Sequence, residues 1–244
     1  YSTDAMGITA ENIVEKYGFT REELDVFALS SQQKAAKAQE EGRFEKEITP
    51  VAVFNRKTKS DDFKASDEFI RANTTLESLS GLKPAFKKDG VVTAGNSSGI
   101  NDGAACVIMT TREYAQELNL PILATLKGYA EAGVDPAIMG IGPVPAIEKL
   151  VARIRIPLEK VDIFELNEAF AAQSMAVIKD LKIPNEKVNP FGGAIALGHP
   201  IGASGTRIVV TLINALEQLD GKLGVASLCV GGGMGVAIAI EREQ

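Results

Sequence analysis

The second half of the chain alternates strand-like and helix-like segments, and this alternation limits the possible fold more than any other feature. In order, the pattern predicts a strand, helix, strand, helix, strand, helix and two strands over residues 122–132, 146–153, 162–166, 169–180, 187–189, 202–219, 223–230 and 236–241. Strands that alternate with amphipathic helices favour an α/β layer with helices on its faces. The predicted fold class is therefore α/β, with a βαβαβαββ order in this half.

The residues before Pro121 are richer in loops, so a domain boundary is predicted near this proline. Thr20-Arg-Glu-Glu23 has the pattern of a capping box, which predicts a helix that ends near Gly42. Another helix is expected after Thr111, whose side chain can cap it. Further predicted elements are strands over 47–54 and 104–110 and a short helix near 76–79.

Charge and hydropathy disfavour two classes of partner. The formal net charge is -6 and the basic clusters are short, so nucleic acid is not expected as the main partner. The longest apolar runs fall far short of the roughly 20 residues of a membrane span, so no membrane association is expected.

The cysteine and histidine content argues against a metal site and a disulfide framework. Cys106, Cys229 and His199 are the only residues of these types, and there is no Cys-x-x-Cys pair. We therefore expect no bound metal, and a reducing, cytoplasmic compartment.

Asn167 begins the segment Asn-Glu-Ala-Phe-Ala directly after an apolar strand. A side chain at the carboxyl end of a strand faces the crevice in which α/β proteins bind ligands, and an amide can both donate and accept hydrogen bonds. Asparagine is also a common helix N-cap. The residues by themselves leave both roles open.

His199 lies in Gly192-Gly-Ala-Ile-Ala-Leu-Gly-His-Pro-Ile-Gly-Ala-Ser-Gly205, a run rich in glycine and alanine. Pro200 biases His199 toward extended geometry just before a predicted helix. A histidine held there suits an acid/base or oxyanion-donor role better than a capping role. A phosphate-binding loop is rejected, because Ala203 stands where such a loop requires lysine.

Cys229 ends an apolar strand and precedes Gly231-Gly-Gly-Met-Gly235. The backbone N–H groups of such a run can form an anion-binding nest, which would stabilise a thiolate or a developing oxyanion. A small buried hydrophobic residue is the alternative, since unpaired cysteines are commonly buried. Cys106 lies in the middle of a predicted strand with no glycine turn, so it is expected to be structural.

The three segments around Asn167, His199 and Cys229 together resemble the thiolase family, in that family's order and near its spacing. The resemblance extends over essentially the whole chain and points to the biosynthetic acetoacetyl-CoA thiolases. Met139 and the form His-Pro-Ile-Gly-Ala-Ser-Gly of the histidine segment support that subgroup. The resemblance implies a thiolase-like, layered αβαβα fold.

The same resemblance implies an acyltransferase. It would condense two acetyl-CoA molecules to acetoacetyl-CoA and CoA in a Claisen condensation, and would also run the reverse thiolysis. Cys229 would be the acid/base, and His199 would activate a nucleophilic cysteine and donate to the thioester oxygen. Asn167 would hold a water in that oxyanion hole, and the N–H of Gly231 would donate in a second one.

Coenzyme A contacts and domains are implied as well. The positions that match coenzyme A contacts are Arg71, Ser78, Ala94, Ser98, Met6, Phe86, Met139, Ala169 and Phe170. Residues 1–100 would form a loop domain over the coenzyme, 101–121 the closing strand and helix of the N-terminal domain, and 122–244 the C-terminal domain. No cofactor is implied, because the coenzyme A thioesters are substrates. The family suggests a homotetramer, a dimer of dimers.

The nucleophilic cysteine of the family has no counterpart in this chain, and the resemblance places it upstream of Tyr1. We therefore expect a fragment of a longer protein that is inactive by itself. A degradative 3-ketoacyl-CoA thiolase of broader chain length is one alternative. A non-catalytic, thiolase-like acyl-CoA-binding protein is another, disfavoured because His199 and Cys229 are both present. A ketoacyl synthase is disfavoured because those enzymes have histidine in place of Asn167.

Overall fold

The computed structural model describes residues 4–243. The elements of the first half are α1 (Met6–Tyr17), α2 (Arg21–Glu40), β1 (Val51–Asn55), β2 (Ser60–Lys64), α3 (Leu76–Ser80) and α4 (Arg112–Glu117). β1 and β2 form an antiparallel hairpin.

The second half follows the alternation of strands and helices. Its elements are β3 (Ala124–Gly133), α5 (Pro143–Ile154), β4 (Ile163–Leu166), α6 (Ala171–Leu181), α7 (Ala194–Leu197), α8 (Ser204–Gln218), β5 (Leu223–Val230) and β6 (Met234–Arg242). Short 3-10 helices lie at Pro136–Ile141, Leu158–Lys160 and Asn185–Lys187.

The strands of this half form one sheet within the described residues, in the order β3-β6-β5-β4. β4 and β5 run parallel, while β6 is antiparallel to both β5 and β3. Because parallel strands end at the same edge of a sheet, the carboxyl ends of β4 and β5 lie side by side. We call this place, residues 166–167 and 228–231, the carboxyl edge.

Helices cover both faces of the sheet, because side chains alternate along each strand. One core joins the sheet to α5 and α6 and includes Leu150, Phe164, Leu166 and Val177. A core on the other face joins the sheet to α8 and includes Ile163, Ile208, Leu212 and Ala226. The sheet is therefore the middle layer of this half.

The helices of the first half pack on α6. A third core joins α1 and α2 to α6 and includes Ile13, Leu24, Ala172 and Ile195. The buried carboxylate of Glu11 on α1 accepts the backbone N–H groups of Val91 and Val92, at 3.0 and 2.9 Å. Asn96 then accepts the N–H of Ala171 at 2.9 Å through its carbonyl oxygen. These contacts hold residues 91–98 against the amino end of α6.

Several local predictions are confirmed. The capping box forms: Thr20 Oγ1 accepts from the N–H of Glu23 at 3.2 Å, and the Glu23 carboxylate accepts from the N–H of Thr20 at 2.7 Å. Thr111 caps α4 by accepting the N–H of Tyr114. The sequence pattern does not predict α1 or β2.

Two predicted strands are altered. Over 187–189 the strand is reduced to a single parallel bridge between Val188 and Phe164. The strand predicted over 47–54 begins only at Val51, because the carbonyl of Phe44 accepts the N–H of Ile48 in a turn.

The predicted strand over 104–110 is wrong for this structure, since the segment has no regular secondary structure. It pairs with no strand of residues 4–243, and a strand needs such backbone partners. Ile108 is 90% exposed. Cys106, expected to be a structural residue of this strand, is exposed as well. Of the predicted closing strand and helix over 101–121, the helix alone forms in the described structure.

Candidate active site

Asn167 and Cys229 leave neighbouring strands at the carboxyl edge. In the parallel pair β4–β5, Leu166 lies opposite Ser227, and the N–H of Asn167 continues the ladder by donating to the Ser227 carbonyl at 3.0 Å. Cys229 follows Ser227 by two residues on β5. The strand register therefore brings together two residues that are 62 positions apart in the sequence.

His199 reaches the same place on the loop between α7 and α8. The loop is anchored by the His199 N–H, which donates to the Gly99 carbonyl at 3.1 Å and approaches Asn101 Oδ1 at 3.3 Å. Gly198, just before it, has φ +92°, which favours glycine. The ring lies between Ser204 Oγ, 2.5 Å from Nδ1, and Asn167 Nδ2, 3.4 Å from Nε2.

These neighbours indicate which ring nitrogen of His199 carries the proton. Ser204 Oγ can donate to the Pro200 carbonyl, 3.1 Å away, so it is free to accept from Nδ1–H. The Asn167 amide can then donate to an unprotonated Nε2. Burial lowers the pKa of His199, and the positive charge of Arg207 lowers it further. The arrangement presents a neutral imidazole whose Nε2 lone pair can act as a base.

Asn167 is not a helix N-cap, so the capping alternative is wrong. α6 begins at Ala171, four residues later, with Phe170 at the N-cap position. The Asn167 side chain is 1% exposed, and its Oδ1 has no hydrogen-bond partner within residues 4–243. An amide oxygen left free beside His199 can accept a hydrogen bond from a ligand or a water.

Cys229 is half-buried rather than fully buried. Burial of the thiol raises the pKa of Cys229 to about 11, so at neutral pH it is protonated and can act as an acid. Gly231, at the tip of the β5–β6 turn, is exposed, and a Cβ added to it would meet no atom within 4 Å. Gly232 and Gly233 both have φ +92°, which only glycine adopts readily.

Two residues that hold the site were not predicted. Ser204 orients His199, and the signal for it was its position inside the histidine segment itself. Asn189 holds the strand end before Asn167: its Oδ1 accepts the N–H of Leu166 and its Nδ2 donates to the Leu166 carbonyl, both at 2.8 Å. No local pattern connects Asn189 to a strand 23 residues earlier.

Most of the residues predicted to contact coenzyme A lie around the start of α6. The rings of Phe86 and Phe170 meet edge to face at 5.9 Å, and Phe86 lies directly against Gly7, the neighbour of Met6. The N–H of Ser98 donates to the Ala169 carbonyl at 3.0 Å. Met139 is 3% exposed in the 3-10 helix that packs against α1, and Ala94 is exposed.

Arg71 and Ser78 stand apart from that group. The Arg71 N–H donates to Gln32 Oε1 at 2.8 Å, and its guanidinium lies 5.5 Å from the centre of the Phe69 ring. Ser78 exchanges hydrogen bonds with Thr75 and so closes a capping box at the start of α3. Within the described residues, no hydrogen bond, ion pair or ring contact joins either side chain to Phe86 or Phe170, and both remain predictions as coenzyme A contacts.

Between residues 4 and 243, no group of three or more His, Cys, Asp or Glu side chains could hold a metal ion. In the same range, no helix has both the length and the apolar character needed to cross a membrane.

Comparison with known protein families gives matches over nearly all of the chain. Residues 120–242 match the family model described as "Thiolase, C-terminal domain", and residues 1–113 match "Thiolase, N-terminal domain". The chain is 56% identical to the "Probable acetyl-CoA acyltransferase" of Staphylococcus aureus strain MRSA252, over 98% of this chain and 60% of that protein. It is 54% identical to the "Acetyl-CoA acetyltransferase" of Cupriavidus necator, over 100% of this chain and 62% of that protein. The chain thus spans about three fifths of the length of these curated relatives.

Solved structures show the same similarity. The acetyl-CoA acetyltransferase of Bacillus anthracis superposes with a TM-score of 0.96 at 51% identity, covering 98% of this chain and 60% of that one. Human mitochondrial 3-ketoacyl-CoA thiolase superposes with a TM-score of 0.92 at 44% identity, with the same coverage. These superpositions confirm the predicted α/β fold class.

Proposed function

This chain belongs to the thiolase family, and from that membership we propose that the full-length protein condenses two acetyl-CoA molecules to acetoacetyl-CoA and CoA and runs the reverse thiolysis. The observation that carries the proposal is the orientation of His199 between Ser204 and Asn167 at the carboxyl edge, beside β5, which carries Cys229 next to its last residue. The names of the relatives in Cupriavidus necator and Bacillus anthracis support the short-chain substrate.

The first half-reaction moves an acetyl group to a cysteine. No residue of this chain matches the family's nucleophilic cysteine, so we propose that the rest of the full-length protein supplies it. His199, neutral and unprotonated at Nε2, takes the proton of that thiol. The resulting thiolate attacks the acetyl-CoA carbonyl, the thioester C–S bond breaks, and the departing CoA sulfur takes the proton of Cys229. The pKa of about 11 supports this order, because Cys229 begins as a thiol.

The second half-reaction forms the carbon–carbon bond. The Cys229 thiolate left by the first step removes a proton from the methyl group of a second acetyl-CoA. The enolate oxygen is stabilised by His199 and by a water held on Asn167, whose free Oδ1 supports this role. The enolate carbon attacks the acetyl-enzyme, and the N–H of Gly231 stabilises the tetrahedral oxyanion. The nucleophilic cysteine is then expelled as a thiolate and takes back the proton that His199 holds, which releases acetoacetyl-CoA and restores the starting protonation states.

The coenzyme A moiety is proposed to lie along the start of α6. Met6, Phe86, Met139, Ala169 and Phe170 would line its pantetheine arm, with Ala94 and Ser98 from the adjacent loop, and Arg71 and Ser78 would meet its nucleotide end. The contacts of Phe86 with Phe170 and of Ser98 with Ala169 support a common wall. We propose that no cofactor is needed, since thioester chemistry carries every step.

Assembly and compartment are part of the same proposal. We infer a homotetramer, a dimer of dimers, in the cytoplasm, on family analogy and on the widely separated Cys106 and Cys229. Light scattering of the full-length protein after size-exclusion chromatography measures the oligomer, and a monomeric mass would contradict it.

The test is an assay of the full-length protein with acetyl-CoA alone. We expect acetoacetyl-CoA and CoA to form in equal amounts. The similarity to human 3-ketoacyl-CoA thiolase makes a degradative enzyme the second candidate. Thiolysis of 3-ketoacyl-CoA substrates of increasing length separates the two, because efficient cleavage of an eight-carbon substrate would reject the short-chain assignment. Binding of acyl-CoA without turnover would support a non-catalytic role.

A further inference from the structure

Arg207 contacts the buried carboxyl group of Glu165, and the proposed reaction uses neither side chain. Glu165 lies on β4, two residues before Asn167, and its side chain is 1% exposed. Arg207 lies on α8, three residues after Ser204, and its side chain is 19% exposed. Arg207 Nη1 is 3.7 Å from Glu165 Oε2, which is an ion-pair distance too long for a hydrogen bond. A buried pair of this kind contributes little net stability, so its location is the more informative property.

The Arg207–Glu165 contact has a second contact on each side of it. Both of these also join the β4 segment to α8 or to the loop before α8. Ile163 and Glu165 alternate along β4 and so share the face of the sheet that α8 covers, and Asn167 follows directly after the last residue of the strand. At one end, Ile163 packs with residues of α8 in a common core. At the other end, Asn167 contacts His199, which Ser204 of α8 orients. Arg207 and Glu165 therefore join α8 to β4 two residues before Asn167, close to the contact between Asn167 and His199.

We propose that Arg207, paired with Glu165, is a positioning residue that holds α8 against β4 and thereby sets the contact between His199 and Asn167. The proposal rests on the proposed function in one respect, which is that the contact between His199 and Asn167 serves the acyl transfer. Arg207 itself touches no reacting atom.

Arg207 is also the shared counter-charge of several buried acids from different parts of the fold. Burial raises the pKa of Glu165, Glu47 and Asp67, and Arg207 opposes the rise in all three. Glu47 is further held by Thr211 Oγ1 and Asn214 Nδ2 of α8, at 3.1 and 2.8 Å.

Three more charged groups act on Glu165. Glu47 and Glu168 raise its pKa and Lys34 of α2 lowers it, each less than burial does. Arg207 thus places one positive charge of α8 near three buried acids, Glu165, Glu47 and Asp67.

Because Arg207 is charged, its removal should change the pKa of His199, an effect that the loss of a purely structural residue would lack. Burial is the main cause of the lowered pKa of His199, and Arg207 adds to it. Removing the positive charge should therefore raise the pKa of His199, whether or not the fold is stabilised by the pair.

The experiment compares wild type, Arg207→Gln and Arg207→Lys in the full-length protein. Steady-state kinetics with acetyl-CoA give kcat and KM. The pH dependence of diethyl pyrocarbonate labelling, measured by mass spectrometry on the peptide that contains His199, gives the midpoint for its deprotonation. For Arg207→Gln we expect kcat to fall on the order of 10- to 100-fold, with KM little changed and the His199 midpoint shifted upward. Arg207→Lys should restore the midpoint and part of kcat.

Arg242→Gln is the matched control. Arg242 is 21% exposed and paired with Asp220 at 2.6 Å, but it lies at the end of β6 beside the start of β5, away from the carboxyl edge. It should leave both readouts at wild-type values. Should Arg207→Gln fail to fold, the double variant Glu165→Leu/Arg207→Met removes both charges while filling the space. For this double variant we expect the same fall in kcat and the same upward shift of the His199 midpoint as for Arg207→Gln.

Wild-type kcat and an unchanged His199 midpoint in Arg207→Gln, or in the double variant where the single one does not fold, would overturn the proposal. So would a loss of kcat that thermal unfolding explains while the midpoint stays in place. If wild type makes no acetoacetyl-CoA, the proposed function fails instead. The His199 labelling then still tests the proposal, because it needs no turnover.

Discussion

β5 and the segment 104–110 are apolar stretches of similar length, but β5 alone of the two is a strand. β5 is hydrogen-bonded to β4 on one side and to β6 on the other. Its Val225 and Ala226 are buried in the helical cores on opposite faces of the sheet. Segment 104–110 pairs with no strand of the described chain, and Ile108 and Met109 are 90% and 71% exposed. Apolar content makes a strand possible, whereas neighbours that supply backbone partners make it form.

The same difference separates the two cysteines. Cys229 lies on β5 two residues beyond Ser227, which is opposite the last residue of β4, and its pairing with Gly235 fixes it there. Cys106 is exposed in the unpaired segment. Position relative to the sheet, rather than the identity of the residue, makes one of them a candidate for chemistry.

The largest effect is expected from exchanging these cysteines one at a time. In the full-length protein, Cys229→Ala should lower the rate of acetoacetyl-CoA formation about 100- to 10,000-fold, the range for a lost general acid/base. Labelled acetyl from acetyl-CoA should still attach covalently to the enzyme. Cys106→Ala is the control and should retain the wild-type rate. Full condensation activity in Cys229→Ala would remove it from the mechanism.

Side-chain packing should contribute to the free energy of unfolding at the sheet that contains β5, but not in segment 104–110. In the 244-residue chain, Leu212→Ala removes a fully buried side chain between α8 and the sheet, and should lower the free energy of unfolding by about 2–5 kcal/mol. Ile108→Ala should change it by less than about 0.5 kcal/mol, because the side chain is exposed. Urea unfolding followed by circular dichroism measures both. Equal losses would mean that 104–110 is packed, and would break the comparison.

Two hydroxyl groups allow a finer test. Ser204→Ala removes the partner of His199 Nδ1 and should lower kcat roughly tenfold, the effect of about 1.4 kcal/mol at the transition state. Thr111→Ala removes the cap of α4 next to the unpaired segment. It should cost about 1 kcal/mol of stability and leave kcat unchanged. If Ser204→Ala keeps the wild-type kcat and pH profile, the orientation assigned to His199 is wrong.

A last prediction concerns the pH dependence of stability. Burial raises the pKa of Glu165 to about 8, while in the unfolded chain a glutamate has a pKa of about 4.3. Between these values the folded state binds more protons, so rising pH lowers the stability of the wild type.

Glu165→Gln lacks this group, so its stability relative to wild type should increase from about pH 5 to about pH 9. Thermal unfolding across this range measures the difference. A difference that stays constant across this pH range would show that burial does not raise the pKa of Glu165 in the fold.

Local sequence was sufficient where the interaction is local. Thr20 and Thr111 start their helices because a capping hydroxyl bonds to an N–H three residues on. The alternation of strands and helices predicted the sheet of the second half, since each element shows its own periodicity. α1 and β2 were missed, the first without a side-chain cap and the second a wholly exposed strand of a short hairpin.

From the sequence, the site could be predicted as far as the three loops that carry its residues. Asn167 and Cys229 could be placed at strand ends, and His199 before a helix, from glycine, proline and apolar patterns alone. The roles of Ser204 and Asn189 could not, because nothing local says that one hydroxyl meets an imidazole or that one amide closes a strand end 23 residues away. The domain boundaries and the coenzyme A contacts stay predictions.

By itself, the sequence determined the α/β class, the family and the three loops that carry the candidate residues. The tertiary structure alone decided that Asn167 contacts His199 rather than capping a helix, which side chain meets each ring nitrogen of His199, that burial raises the pKa of Cys229, and that 104–110 is not a strand here. The physical reason is range. Caps and periodicities act over about four residues, whereas the Asn167–His199 contact spans 32 residues, and burial and strand pairing depend on whatever else packs nearby.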